Sequence, residues 1–257
     1  MRTIFFYRQT AIYLKSSITN HHPPKLNHST RNTSSKMSNI IQISSVPTLT
    51  DLYKKGAPGL TLNAPTSFQP SADLNSRISI IRASITDIAA TSIVNAANES
   101  LLGGGGIDGV IHRGAGPDLL KECRTLGGCE TGSAKITKAY NLPSEYVIHT
   151  VGPRYYYARR ERPGLETELL RSCYKTSLDL AKEKGGSIVF NCVSTGIYGY
   201  PSMDAALVAC NEVRRWLSEE GKGSLERVVF CVFELKDERA YNELLPSVIH
   251  ESCRSPY

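Results

Sequence analysis

Residues 92–117 read SIVNAANESLLGGGGIDGVIHRGAGP. The stretch passes from a short β-branched run, through two amides and four consecutive glycines, into a segment with helical spacing that ends at Gly116 and Pro117. Strand, loop and helix in that order form the unit from which parallel sheets are built. Pro117 suits the first turn of a second helix, PDLLKECRTL. A glycine inside a regular element costs roughly 0.5–1 kcal/mol relative to alanine, so four together need a compensating use. They either make tight turns or let the backbone touch a ligand.

Outward from this unit the alternation continues. RISIIRASI (77–85), AKITKAY (134–140), YVIHTVG (146–152), SIVFNCV (187–193) and RVVFCVF (227–233) read as strands. Residues 165–186 carry apolar residues at 169/170, 173/174, 177/178 and 180/181, a helical spacing ended by Gly185. Ser202 is expected to cap a helix whose apolar face runs through Ala206, Cys210, Val213 and Leu217. A last helix, DERAYNELL, is expected to stop at Pro246, and LTDLYKKG (49–56) predicts a short helix ahead of the main pattern. Strands alternating with helices give an α/β fold: a largely parallel sheet with helices on both faces. Ligands in such sheets sit outside the carboxyl ends of strands, and two strand-end loops here are glycine-rich, 103–109 and 194–200.

Bulk composition sets the domain plan. The net charge is +6 over 257 residues, yet residues 1–50 hold Arg2, Arg8, Lys15, Lys25, Arg31 and Lys36 and no acid. The remaining 207 residues carry 24 basic and 24 acidic side chains, so bulk charge gives no support to nucleic-acid binding by the folded part. Residues 1–46 read as a disordered basic tail, 47–75 as an arm, 76–250 as the domain and 251–257 as a C-terminal tail. MRTIFFYRQTAIYLKSS has the composition of a mitochondrial transit peptide; if Met37 is the start instead, the expected location is cytoplasmic or nuclear. No apolar run approaches the ~20 residues that span a bilayer. Seven cysteines without a C-x-x-C motif read as buried free thiols, and no histidine pair has zinc-ligand spacing.

Gly104, Gly106 and Gly109 satisfy G-x-G-x-x-G, but the acid a dinucleotide fold needs at the end of the next strand is missing, because Glu122 falls in a helical stretch. A P-loop fails, since Gly109 is followed by Val110 and Ile111. What survives is simpler. Gly103–Gly106 precede a helix N-terminus, where unpaired N–H groups favour an anion, and STGIYG repeats the arrangement at another strand end. Neither loop contains Lys or Arg, so phosphate would be held by backbone N–H groups, and two such loops suit a diphosphate. Asp108 and His112, four apart on a helix, share a face. They read either as a general acid–base pair or as a first-turn acid with an ordinary salt bridge. Asn95 and Asn98 add amides; Asn98 reads as a partner for a sugar hydroxyl or as an Asx-turn. Tyr198 and Phe233 are candidate stacking rings, with Phe233 by default a core residue.

Taken together, IVNAANESLLGGGGIDGVIHRGAGP, CETGSAKITKAYNLPSEYVIHTVGP, STGIYGYP and RVVFCVF resemble a macrodomain of the MacroD type, from about residue 76 to 246 with the motifs in order. The resemblance implies a three-layer α/β/α sandwich around a mixed, largely parallel sheet. It implies ADP-ribose as ligand and hydrolysis of mono-ADP-ribose from acidic side chains of modified proteins, with deacetylation of O-acetyl-ADP-ribose beside it. No cofactor, metal or nucleic-acid partner is implied, and the expected state is a monomer. Asp108, supported by His112, would activate or orient water, with Asn98 at the distal ribose and Asn95 close by. Gly104, Gly105, Gly106 and Ile107 would form the first loop, Ser194, Thr195, Gly196, Ile197 and Tyr198 the second, and Phe233 would pack at the adenosine end. One departure stands out. The family usually carries Gly-Asp-Ile after its first strand, the Asp accepting from the adenine amino group; here the stretch is Ala83, Ser84 and Ile85. Two other functions fit the same pattern: a reader that binds ADP-ribose without turnover, and a phosphatase acting on ADP-ribose 1″-phosphate.

Overall fold

The structure, a computed structural model, describes residues 40–56 and 71–249. The targeting reading of residues 1–36, residues 57–70 of the arm, the tail 251–257 and Cys253 lie outside the described residues.

Six strands form the main sheet: β2 (Ile78–Arg82), β4 (Ser92–Ala97), β5 (Ala134–Lys138), β6 (Tyr146–Val151), β7 (Ser187–Phe190) and β8 (Arg227–Val232). Their spatial order is β2-β8-β7-β4-β6-β5, parallel throughout except for β5, which runs antiparallel to β6 at one edge. The strands lack polar alternation because both faces are covered. In β8, Val228, Phe230 and Val232 enter one core while Val229 and Cys231 enter the other. In β4, Val94 and Ile93 divide the same way.

One face is packed by α6 (Leu165–Lys184), α7 (Ser202–Ser218) and α8 (Leu235–Val248), with the short α1 (Leu49–Lys54) and α2 (Ala72–Arg77). The other is packed by α3 (Gly106–Ala115) and α4 (Pro117–Thr125). A further short helix, α5 (Tyr155–Glu161), follows β6. The result is the expected three-layer sandwich around a mixed, mostly parallel sheet.

Local signals hold in several places. Pro117 opens α4, Gly185 ends α6 with φ of 72°, and Thr48 and Asp51 form a capping box on α1. Three expectations change. Ser202 is the first helical residue of α7, whose N-cap is Pro201, so its hydroxyl caps nothing. Pro246 lies inside α8: a proline near the end of a helix forfeits only one backbone bond, and packing of Leu245 and Val248 on the core carries the last turn past it. Residues 41–46, assigned to the tail by composition, are folded: β1 (Ile41–Gln42) pairs parallel with β3 (Ile88–Ala89), and Val46 is buried. An isolated tail of that composition would not order; contact with the domain supplies the burial.

Candidate active site

Five parallel strands end at one place. Residues following β2, β8, β7, β4 and β6 surround a cleft of about 820 Å³, within the range of small-molecule sites. Its walls include Ser84 and Ile85 after β2, Phe233 after β8, Asn191 to Tyr198 after β7, Asn98 after β4, and Gly152 and Arg154 after β6. Gly105, Gly106, Ile107 and Asp108, at the start of α3, complete it.

The first glycine loop owes its shape to close approach. A Cβ on Gly109 would overlap the carbonyl oxygen of Gly104, so the loop can fold back on the first turn of α3 only with glycine there. Gly105 is the N-cap and offers no side-chain cap, which leaves the first-turn N–H groups to a ligand. The second loop meets the first: Ile197 Cδ1 lies 3.6 Å from where a Cβ on Gly106 would be. Ser194 has φ of 67°, a left-handed value that non-glycine residues adopt at a cost. The backbone holds it there, Tyr200 N donating to Ser194 O (2.9 Å) and Gly199 N to Gly196 O (3.0 Å).

Asp108 is the one carboxylate on the floor of the cleft at the first loop, and only 3% of it is exposed. Asn95 Nδ2 donates to its Oδ1 (2.8 Å), Asn98 Nδ2 reaches Oδ2 at 3.4 Å, and His112 Nε2 stands 3.4 Å from Oδ1. Burial pushes the Asp108 carboxyl above the usual range for Asp, opposed by the Asn95 hydrogen bond and the His112 charge. A carboxyl held up in this way keeps its proton to higher pH than an ordinary Asp.

The predicted residues divide by position. Ser84, Ile85, Asn98, Gly105, Gly106, Ile107, Asp108, Ser194, Thr195, Gly196, Ile197, Tyr198 and Phe233 line the cleft. Asn95, His112 and Gly104 do not: Asn95 is fully buried on β4 and holds Asp108 from behind, and His112 stands one helical turn further back. Asn98 makes the Asx-turn of one of its readings. Its Oδ1 accepts from Ser100 N (3.0 Å), an Asx-turn, while its Nδ2 donates to Gly103 O (2.9 Å) and faces Asp108. Phe233 is no core residue; it is 72% exposed at the rim, because the strand ends at Val232 and the next residue passes out of the sheet. Ser84 Oγ shares a hydrogen bond with Thr86 Oγ1 (2.8 Å).

Sequence reasoning missed Arg154, Asn191 and Asp237, which also line the cleft. The Arg154 guanidinium lies over the Tyr198 ring at 5.3 Å. Asp237 Oδ2 accepts from Thr195 Oγ1 (3.2 Å), while its Oδ1, Asn191 Oδ1 and Ser194 Oγ are buried without a protein partner. The strand-end rule would have found Asn191 and Arg154; Asp237 sits within a helix and needed the tertiary packing. A ligand cluster also escaped spacing arguments. Ligand atoms of His112, Cys123 and His149 lie within 4.8 Å of one another. They are poorly prepared for a metal: His149 Nε2 is 2.8 Å from Thr137 Oγ1, and burial pushes the Cys123 thiol up to about 11, away from the thiolate a metal requires.

A largely parallel α/β/α sandwich with two glycine-rich loops and a buried carboxylate meeting at the strand ends has its cleft where open α/β sheets bind ligands. The Macro domain family model matches residues 94–209, and a macro domain-containing protein of Chlorobaculum tepidum is 52% identical over 172 residues, 96% of its length and 66% of this chain. The chain belongs to the macrodomain family. It is 48% identical to the protein named ADP-ribose glycohydrolase MACROD1 of Bos taurus over 208 residues, 80% of this chain and 62% of that protein. It thus spans less than two thirds of the bovine and mouse MACROD1 proteins. The Trypanosoma brucei macrodomain solved in complex with ADP-ribose superposes with a TM-score of 0.65 at 39% identity, covering 79% of this chain and 76% of that one.

Proposed function

We propose that this chain is an ADP-ribosyl hydrolase that releases mono-ADP-ribose from acidic side chains of modified proteins. The observation that carries the reading is Asp108: a carboxylate 3% exposed, raised by burial, on the floor of a cleft between two loops that offer backbone N–H groups. The relatives named ADP-ribose glycohydrolase and the ADP-ribose complex of the trypanosomal macrodomain support the same ligand and chemistry.

In this reading the two loops fix the diphosphate, and fixing it places the distal ribose against Asp108. Asp108 orients an attacking water and takes its proton, and the released group is the substrate's own carboxylate. Asn95 and Asn98 hold the Asp108 oxygens in place. Positioned acid–base catalysis of this kind contributes typically about 10²–10⁴-fold. Deacetylation of O-acetyl-ADP-ribose is part of the proposal: water activated by Asp108 would attack the acetyl carbonyl, releasing acetate and leaving the ribose hydroxyl protonated. So is a mitochondrial location through residues 1–36, which imaging of the full chain against one beginning at Met37 would test.

The test is release of ADP-ribose from a glutamate-mono-ADP-ribosylated protein by wild type and Asp108→Ala. Release by wild type alone supports the hydrolase. Binding of ADP-ribose without release by either sinks it in favour of a reader. Inorganic phosphate from ADP-ribose 1″-phosphate, with the glutamyl ester untouched, would assign a phosphatase.

A further inference from the structure

Behind Asp108 the sheet contains a line of buried polar side chains that begins at Asn95 and continues into residues the reaction as described does not use. Asn95 on β4 and His149 on β6 are directly opposed in the parallel ladder, and both are fully buried. Asn95 Nδ2 lies 2.8 Å from Asp108 Oδ1 and 3.1 Å from His149 Nδ1. On the far side of the imidazole, Nε2 lies 2.8 Å from Thr137 Oγ1 of β5 and 3.7 Å from Cys123 Sγ of α4. Thr137 Oγ1 in turn reaches Val147 O at 3.5 Å. The Asn95 Oδ1 atom is buried without a partner, so both polar contacts of this amide run through its nitrogen.

That pattern has one consistent proton arrangement. Asn95 has two N–H groups, one for Asp108 and one for His149. The second requires an unprotonated Nδ1, hence the neutral Nε2–H ring, whose proton goes to Thr137 Oγ1 while the threonine proton points to Val147 O. Burial holds the ring neutral, with its pKa down at about 3. In the other tautomer, or with a charged ring, Nδ1–H would oppose the Asn95 N–H. The amide would then gain by turning over, and its oxygen would face the Asp108 carboxylate. We infer that His149 is a positioning residue: its Nδ1 lone pair, set by Thr137, fixes which end of the Asn95 amide meets Asp108.

The inference rests on the reading of Asp108 as the catalytic base, and it has a consequence of its own. The titratable groups facing Asp108 are His112 from its own helix, Cys123 from α4, and His149 from β6 acting through Asn95. Asn95 is the hydrogen bond that opposes burial at Asp108. When its N–H is no longer held toward Asp108, the carboxyl protonates more readily and the acid limb of activity moves to higher pH.

The experiment uses the full chain with His149→Leu, His149→Asn and Thr137→Val, each followed by ¹³C titration of the Asp108 carboxyl and by the pH profile of ADP-ribose release. In His149→Leu the Asp108 midpoint should rise by about one pH unit, the worth of one charge-assisted hydrogen bond. The acid limb of kcat should follow it, with KM unchanged within about twofold, because the line lies behind the acid and touches no substrate. His149→Asn restores an acceptor near the Nδ1 position and should return the midpoint toward wild type, an outcome that loss of packing alone does not produce. Thr137→Val is close in shape and only frees the tautomer, so it should raise the midpoint by a smaller amount. An unchanged midpoint in His149→Leu, or in Thr137→Val if the leucine variant does not fold, overturns the inference. Absence of ADP-ribose release by wild type would instead defeat the hydrolase reading, while the carboxyl titration still decides the role of His149.

Discussion

The two glycine-rich loops that face each other across the cleft are built in opposite ways. The first, at residues 103–109, is backed by a buried polar network: Asp108, Asn95 and His149 lie almost wholly out of solvent and hold one another at hydrogen-bond distance. The second, at 194–200, is buried at Ser194, Thr195 and Tyr200 and stands out in solvent at its tip, with Ile197 78% exposed and open space around Gly196. It is held from below by Gly152, by Lys236 Nζ donating to Thr195 O (2.9 Å), and by Tyr155 N donating to Tyr198 O (3.0 Å). One side fixes a charge in a low-dielectric place, where electrostatics is strong and misplacement costly. The other presents backbone groups at an exposed tip carried on a hydrogen-bonded base.

Substitutions can break this contrast at graded cost. The largest effect belongs to the buried side. Asp108→Asn keeps an acceptor for Asn95 and removes the charge, so turnover should fall by about 10²–10⁴-fold while calorimetric affinity for ADP-ribose changes only a few-fold. Comparable loss of both would make the acid a structural element. The same variant carries a pH signature. Because burial raises the Asp108 pKa, the native state binds its proton more tightly than the unfolded chain. Stability is therefore reduced as pH rises from the ordinary value of 3.8 through the raised one, and the cost persists above it. Asp108→Asn should melt higher than wild type at pH 7 and show no such gain at pH 3; equal melting temperatures at pH 7 would contradict the burial argument.

Next comes the frame under the exposed tip. A methyl group on Gly152 would overlap Ser194 Oγ and approach Val193 Cγ1 at 2.8 Å. Gly152→Ala should cost about 1–3 kcal/mol of stability and weaken ADP-ribose binding through displacement of Ser194, read by urea denaturation and calorimetry. An unchanged affinity would detach Ser194 from the ligand. At the far end of the cleft, Ser84→Asp should tighten ADP-ribose binding by about tenfold if Ser84 faces the adenine amino group, since a charged acceptor replaces a neutral one. No tightening would place adenine elsewhere. The smallest effect is expected from Ile197→Ala, which should leave the melting temperature within the ~0.5 kcal/mol range of ordinary surface changes and alter affinity modestly. A large drop in stability there would show the second loop to be packed more like the first.

Much of this was legible beforehand, and the reasons are local. The β-branched runs of β4, β7 and β8 announce buried strands, and Gly185 and Pro117 mark helix ends through their own backbone preferences. Asp108 and His112 share a helix face because the spacing is four. The misses also have causes. Pro246 signals a stop, yet α8 passes through it because packing outweighs one lost backbone bond. Phe233 is not among them: the resemblance implied a place at the site, and it lines the cleft outside the core because the strand ends one residue earlier. Asn95 was read as a ligand contact from its place in NAAN, but strand alternation turns it inward, beneath Asp108.

By itself the sequence determined the order of the six main-sheet strands and the longer helices, the two loops with no cation in them, and an acid placed in the first turn of a helix. These follow from propensities and periodicities that act within a few residues. Tertiary structure alone decided which strand ends converge on one cleft, and that Asn95 would meet His149, 54 positions away. It also decided that His112, Cys123 and His149 would share one buried place. Such meetings are set by the register of parallel strands and by the crossover helices between them. Register is chosen by burial of the whole sheet, which no short window of sequence contains.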